Sequence, residues 1–128
     1  MSVIIIIVHI HAILFLITDI DLKSLSSRPR LYELDRIKGN GKTVTIISRT
    51  AAVWERVATR LHFEGHEITC IKKDNHFQGE DACRAMFSKW LEGKGHIRTP
   101  TNWDTVIKAL EEANLGEVAQ DLKEVLGV

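Results

Sequence analysis

The sequence predicts an all-α bundle of five or six short helices. Three observations lead there. After Thr50 the apolar residues recur at i, i+3, i+4 and i+7, the spacing that puts them on one helix face. Short polar or glycine-bearing breaks separate these stripes. No stripe is long enough to hold a helix alone, so each must bury its apolar face against the others. The chain has 128 residues, 45% of them apolar, which is enough for one domain with a real core.

The N-terminus stands apart from that pattern. Residues 3–17 read VIIIIVHIHAILFLI, uncharged apart from His9 and His11. Three readings compete. A cleaved signal peptide would need a positive start and a small-residue cleavage site, and neither is present. A membrane anchor needs roughly 18 to 20 apolar residues. The run reaches that length only by taking in Thr18 and Asp19. The basic Lys23, Arg28 and Arg30 that follow would suit a cytoplasmic side. The third reading is an accessory tail, since Ile and Val favour strands over helices in water. Residues 21–30, with Ser24, Ser26, Ser27 and Pro29, read as a linker. The expected organisation is an apolar segment over 1–20, a linker over 21–30 and a helical bundle over 31–127. Membrane contact, if made, runs through residues 3–20.

Residues 31–37 form a short amphipathic stretch of about two helical turns. Lys38-Gly39-Asn40-Gly41-Lys42 breaks it, because Gly and Asn favour turns. Residues 43–47 are β-branched and alternate weakly, so a short strand and the first turn of a helix both fit. Thr50 suits a helix cap. Trp54, Val57, Ala58 and Leu61 then make one face, and Phe63-Glu64-Gly65 interrupts it. Ile68 and Ile71 mark a short helix with Lys72 and Lys73 in its last turn, where cations suit the helix dipole. After the turn at residues 77–79, Glu80 and Asp81 open the clearest helix, with Cys83, Met86, Phe87, Trp90 and Leu91 on its face. Gly93 fits the position that ends it. A loop over 94–100 leads to Thr101-Asn102-Trp103-Asp104, which reads as a capping box. Trp103, Val106, Ile107 and Leu110 follow helical spacing, and Asn114 breaks it. Leu115, Val118, Ala119, Leu122 and Leu126 make the last helix. These stripes are the expected core.

Set in order, these pieces resemble the death domain. Residues 82–93, ACRAMFSKWLEG, resemble its fourth helix. Residues 100–110, PTNWDTVIKAL, resemble the fifth, and 114–122, NLGEVAQDL, the sixth. Residues 53–61, VWERVATRL, resemble the second helix with its core tryptophan, and the Ile68 helix takes the third place. Residues 31–37 resemble the opening of the first helix and 46–51 its later part. Residues 38–45 are then an insertion that breaks or kinks it. The resemblance covers the last 75 to 95 residues. It implies a six-helix antiparallel bundle without a catalytic site or cofactor. It also implies homotypic association with other death domains, or with further copies of the chain, in apoptotic or innate-immune signalling.

Three groups of residues approach a sharper chemistry. Gly39-Asn40-Gly41-Lys42-Thr43 approaches a phosphate-binding loop, but G-x-x-x-x-G-K-[ST] needs Gly where Arg36 stands. Nucleotide binding is therefore a third functional reading, behind the adaptor and behind a membrane-tethered structural bundle. His62, His66 and Cys70 are spaced by four, yet Gly65 interrupts them and no fourth metal ligand is evident. Cys83 shares the apolar face of Met86 and Trp90, where a thiol is less ionised and inert. The two cysteines are too few for a disulfide scaffold, which points to a reducing compartment. A cytoplasmic bundle, free or membrane-associated, is expected.

The formal net charge is zero, which argues against a nucleic-acid partner. Its distribution is uneven. Basic residues prevail from 21 to 50, and acids prevail after Gly116. Off the apolar stripes lie Arg56, Arg60, Lys72, Lys73, Arg84 and Lys89, and on the closing helices Glu111, Glu112, Glu117 and Asp121. These ten are the expected protein-interaction residues. Basic-to-acidic pairing between copies would set register and association rate.

Overall fold

The computed structural model describes residues 24–76, 78–93 and 99–128. The readings of residues 1–20, and of the loop over 94–98, fall outside them. The helices are α1 (Leu31–Asp35), α2 (Ile46–Thr50), α3 (Trp54–Arg60), α4 (Gly65–Asp74), α5 (Gly79–Glu92), α6 (Trp103–Glu112) and α7 (Gly116–Leu126). Strands β1 (Ile37–Gly39) and β2 (Lys42–Val44) lie between α1 and α2, and a 3₁₀ turn (Ala51–Val53) joins α2 to α3. The two expected halves of a first helix are thus α1 and α2, and what breaks it is a β-hairpin.

The hairpin follows from its turn residues. Asn40 and Gly41 have φ of 51° and 74°. A type I′ hairpin turn needs positive φ at both central positions, and Asn-Gly meets that at low cost. The register pairs Ile37 with Val44, Lys38 with Thr43 and Gly39 with Lys42. Ile37 and Val44 face inward and are buried, while Lys38 and Thr43 face out. The ambiguity over residues 43–47 resolves into both alternatives: Thr43 and Val44 are strand, Ile46 and Ile47 are helix.

The core is continuous. Trp90, Trp103, Phe87, Leu34, Ile46, Ile47, Leu61, Ile71, Met86, Leu110, Leu122 and Val44 are all essentially inaccessible. Helix α5 lies centrally, packed by α1, α2, α3 and α4, while α6 and α7 pack on each other and the hairpin packs on α7. Phe87 and Trp90 meet edge to face with centroids 6.3 Å apart. Of the expected core residues, Ile68 and Leu115 are only half-buried, packed at the margin.

Three local expectations need correction. Thr50 does not cap α3; it ends α2, buried, with its hydroxyl donating to the Ile46 carbonyl at 2.8 Å. The cap of α6 is Asn102, whose side chain accepts the Thr105 N–H at 2.9 Å, one residue later than a Thr101 box would have it. Asp104 instead bonds Lys108 at 2.9 Å. The segment read as a linker is docked over its described part. The Leu25 and Ser27 carbonyls accept the N–H groups of Asp104 and Trp103 at 2.9 and 3.0 Å. Those are N–H groups that a helix start leaves without an intrahelical partner. Leu25 packs against the core and Pro29 is buried.

Candidate interaction surface

The ten expected interaction residues divide into those held within the molecule and those facing solvent. Arg84 is held on α1. Its guanidinium forks onto Asp35 of α1, Nη2 at 2.7 Å and Nε at 3.3 Å, with Glu80 and Asp81 at 3.5 and 3.7 Å. A bidentate pair of this kind fixes orientation as well as charge. The Asp35 carboxylate raises the Arg84 pKa above its ordinary value. Lys72 Nζ bonds Glu55 of α3 at 2.7 Å.

Asp121 is held even more fully. Lys42 of β2 donates to it at 2.8 Å and Arg49 of α2 at 2.7 Å. Lys42 also bonds Glu124. Bonds from Lys42 and then Arg49 hold the Asp121 carboxyl below its ordinary range, and the same contact raises Lys42. The turn residue Asn40 adds a side-chain bond to the Glu124 carbonyl at 2.8 Å. The acid-rich last helix is thus met within the chain by cations of the basic N-terminal stretch. Three of the charges expected to face a partner, Arg84, Asp121 and Lys72, make ion pairs within the chain. Sequence reasoning missed Lys42, Arg49 and Asp35 as partners of Asp121 and Arg84, although the opposed charge of residues 21–50 and 116–128 was the signal.

The other expected residues are freer. Arg60, Lys73 and Lys89 are exposed, as are Glu112 and Glu117, and none makes an ion pair with a described residue. Glu111 is only loosely met by Lys123 at 3.6 Å. Basic and acidic residues are not fully segregated. Arg56, Arg60 and Glu112 line one shallow groove of about 160 Å³ between α3 and α6. Arg56 reaches across it to the Ala113 carbonyl at the end of α6, at 3.4 Å.

The residues with spacings suggestive of sharper chemistry are otherwise engaged. Lys42 sits on two carboxylates beside a hairpin turn, which removes the physical basis for a phosphate loop at 39–43. His66 Nδ1 lies 3.2 Å from Glu64, and His62 follows α3 with φ of 69°. Among the described residues no three metal-ligating side chains are grouped to hold an ion. Cys83 is buried, 3.4 Å from the Thr50 hydroxyl, and burial pushes its thiol up to about 11. It stays protonated near neutral pH and is inert. Among the described residues no helix is long and apolar enough to cross a membrane.

The chain matches the family described as Death domain over residues 43–126. That span begins in β2, so α2 through α7 lie within it while α1 and β1 lie ahead of it. No curated protein and no solved structure matches the chain.

Proposed function

The chain belongs to the death-domain family, and from that premise we propose that it is an adaptor in intracellular signalling of the apoptotic or innate-immune type. Death domains are interaction modules that associate homotypically with other death-fold domains. In this reading the chain carries no catalytic step and needs no cofactor, and the bundle works in the cytoplasm. One observation supports a charged interface most directly. Around a filled core, Arg60, Lys73 and Lys89 on one set of helices and Glu112 and Glu117 on another face solvent without ion pairs among the described residues. Their charge is available to a partner, whereas that of Arg84 and Asp121 is taken up in internal pairs.

The mechanism is electrostatic docking of these solvent-facing cations of one copy against the solvent-facing acids of the next, with Arg60 and Glu112, which flank one groove, entering the same contact. Complementary rim charges raise the association rate and fix register. A head-to-tail contact of this kind continues into rings or helical assemblies. The test is assembly or co-assembly with a panel of death domains, followed by light scattering at rising salt. Arg60→Glu with Lys73→Glu should weaken it, and so should Glu112→Lys with Glu117→Lys. Mixing the two reversed proteins should restore part of the binding. If both reversals assemble like the original, the interface lies elsewhere. Failure to engage any death domain favours the alternative of a membrane-tethered structural bundle, which the apolar run at residues 3–17 keeps in view.

A further inference from the structure

We propose that the segment from Arg28 to Lys38 is a docking face for an anionic lipid bilayer. Four cations lie in it: Arg28, Arg30, Arg36 and Lys38, all exposed. None of the four forms an ion pair with a described residue. The acids of the same stretch do not offset them at the surface. Glu33 is 5% exposed, and its carboxylate accepts the Arg30 backbone N–H at 3.1 Å. Asp35 is bound to Arg84.

Local geometry turns these cations outward in two short rows. Pro29 is buried between exposed Arg28 and Arg30. Arg36 is extended, with φ −160° and ψ 117°, and Ile37 after it is buried, so Arg36 and Lys38 point to the same outer side. Tyr32 lies one helical turn before Arg36, its carbonyl accepting the Arg36 N–H at 3.0 Å. At 62% exposed it is a large apolar side chain left in water. The other cations of the region, Lys42 and Arg49, are taken up by Asp121 of α7. The hairpin therefore has an inner face neutralised by the last helix and an outer face that remains positive.

The sequence just upstream argues for a bilayer over other anionic partners. Residues 3–17 hold no Lys, Arg, Asp or Glu. Stable membrane attachment commonly needs two signals, an apolar element and a polybasic patch beside it. Cations near an anionic leaflet each add to binding, and Tyr suits the headgroup level. A patch serving nucleic acid would gain nothing from that apolar run.

The experiment uses the full chain with two kinds of vesicle, phosphatidylcholine alone and phosphatidylcholine with phosphatidylserine, read by co-sedimentation. Tighter binding to the phosphatidylserine vesicles is expected, with the gain shrinking as salt rises. Arg36→Gln with Lys38→Gln should weaken binding to those vesicles by about thirty-fold. It should leave binding to the neutral vesicles and the melting temperature unchanged. The control pair Arg60→Gln with Lys73→Gln, placed elsewhere on the bundle, should keep the preference. Equal binding of the original chain to both vesicles overturns the proposal, as does an equal loss in the control pair. Displacement by an RNA oligomer at matched charge, with no preference for phosphatidylserine, assigns the patch to nucleic acid and overturns it as well.

Discussion

From Trp54 to Leu126 each helix carries its own apolar stripe, whereas residues 31–50 take their shape from what they touch. In the first region the repeat of three and four residues states the structure locally. Helices α5 and α6 bury the faces that spacing assigns to them, and Gly93 ends α5 with φ of 68°. In the second region no element exceeds five residues. Its order comes from an Asn-Gly turn and from bonds to α7, more than seventy positions away in sequence. Local patterning and long-range charge pairing are thus two separate ways in which this chain specifies one core.

The comparison breaks first at the tryptophans of the patterned region. Trp90 of α5 and Trp103 of α6 are fully buried in the common core. Trp90→Ala or Trp103→Ala should destabilise the bundle by about 3 to 5 kcal/mol. Typical domains hold only about 5 to 15 kcal/mol in total. Calorimetry should show loss of most of the cooperative transition. A Trp90→Ala protein that melts cooperatively near the original temperature would remove α5 from the centre of the fold.

The hairpin region breaks more gently and more locally. A Cβ on Gly39 would meet the Val125 carbonyl oxygen at 2.3 Å, which is backbone that cannot move aside cheaply. Gly39→Ala should therefore push the hairpin off α7 at a cost of about 1 to 3 kcal/mol. Amide exchange should rise over residues 37–44 and stay slow in α5 and α6, because cooperative units of a fold open separately. Uniform acceleration across the chain would show that hairpin and helices form one unit.

These two variants also mark what was legible in the sequence. The buried stripes of α3, α5, α6 and α7 were read residue by residue, because helical periodicity is a local property. Leu34, Ile37, Val44, Ile46 and Ile47 join the same core, yet they sit in elements too short to show a period. The break at 38–42 was visible, but Gly39's tight approach to Val125 was not. The charged surface was legible as a set of positions and not as a set of roles. Lys73 and Glu117 are exposed as read, whereas Arg84 and Asp121 point to Asp35, Lys42 and Arg49. Ion-pair partners depend on how helices pack, and that is information no single stripe contains.

A smaller difference sharpens the reading within the patterned region. Trp90 Nε1 donates to the Thr99 hydroxyl at 2.8 Å. Trp103 Nε1 is buried without a partner among the described residues. Replacing each by Phe removes similar volume, but only Trp90→Phe also gives up a hydrogen bond. It should cost about 1 kcal/mol more than Trp103→Phe in urea titrations. Equal costs would mean that the Thr99 bond adds nothing net.

The smallest effect belongs to Asp121, and pH exposes it. Lys42 and Arg49 hold its carboxyl below the ordinary value of 3.8, so the folded state favours the ionised form. A carboxyl depressed on folding stabilises above its unfolded pKa, and that stabilisation disappears as pH falls through the lower folded value. The tie between hairpin and α7 should therefore be intact at pH 7 and weaken only below about pH 4. Asp121→Asn removes the titration. Its melting temperature at pH 7 should lie slightly below that of the original chain, and the gap should close on acidification. Partly exposed pairs are weak and screened by salt, so the gap should also narrow in high salt. If the two proteins keep a constant gap from pH 7 to pH 3, the role of Asp121 is packing, and the hairpin is held by the Asn40 bonds, the Lys42–Glu124 pair and the Ile37 and Val44 contacts.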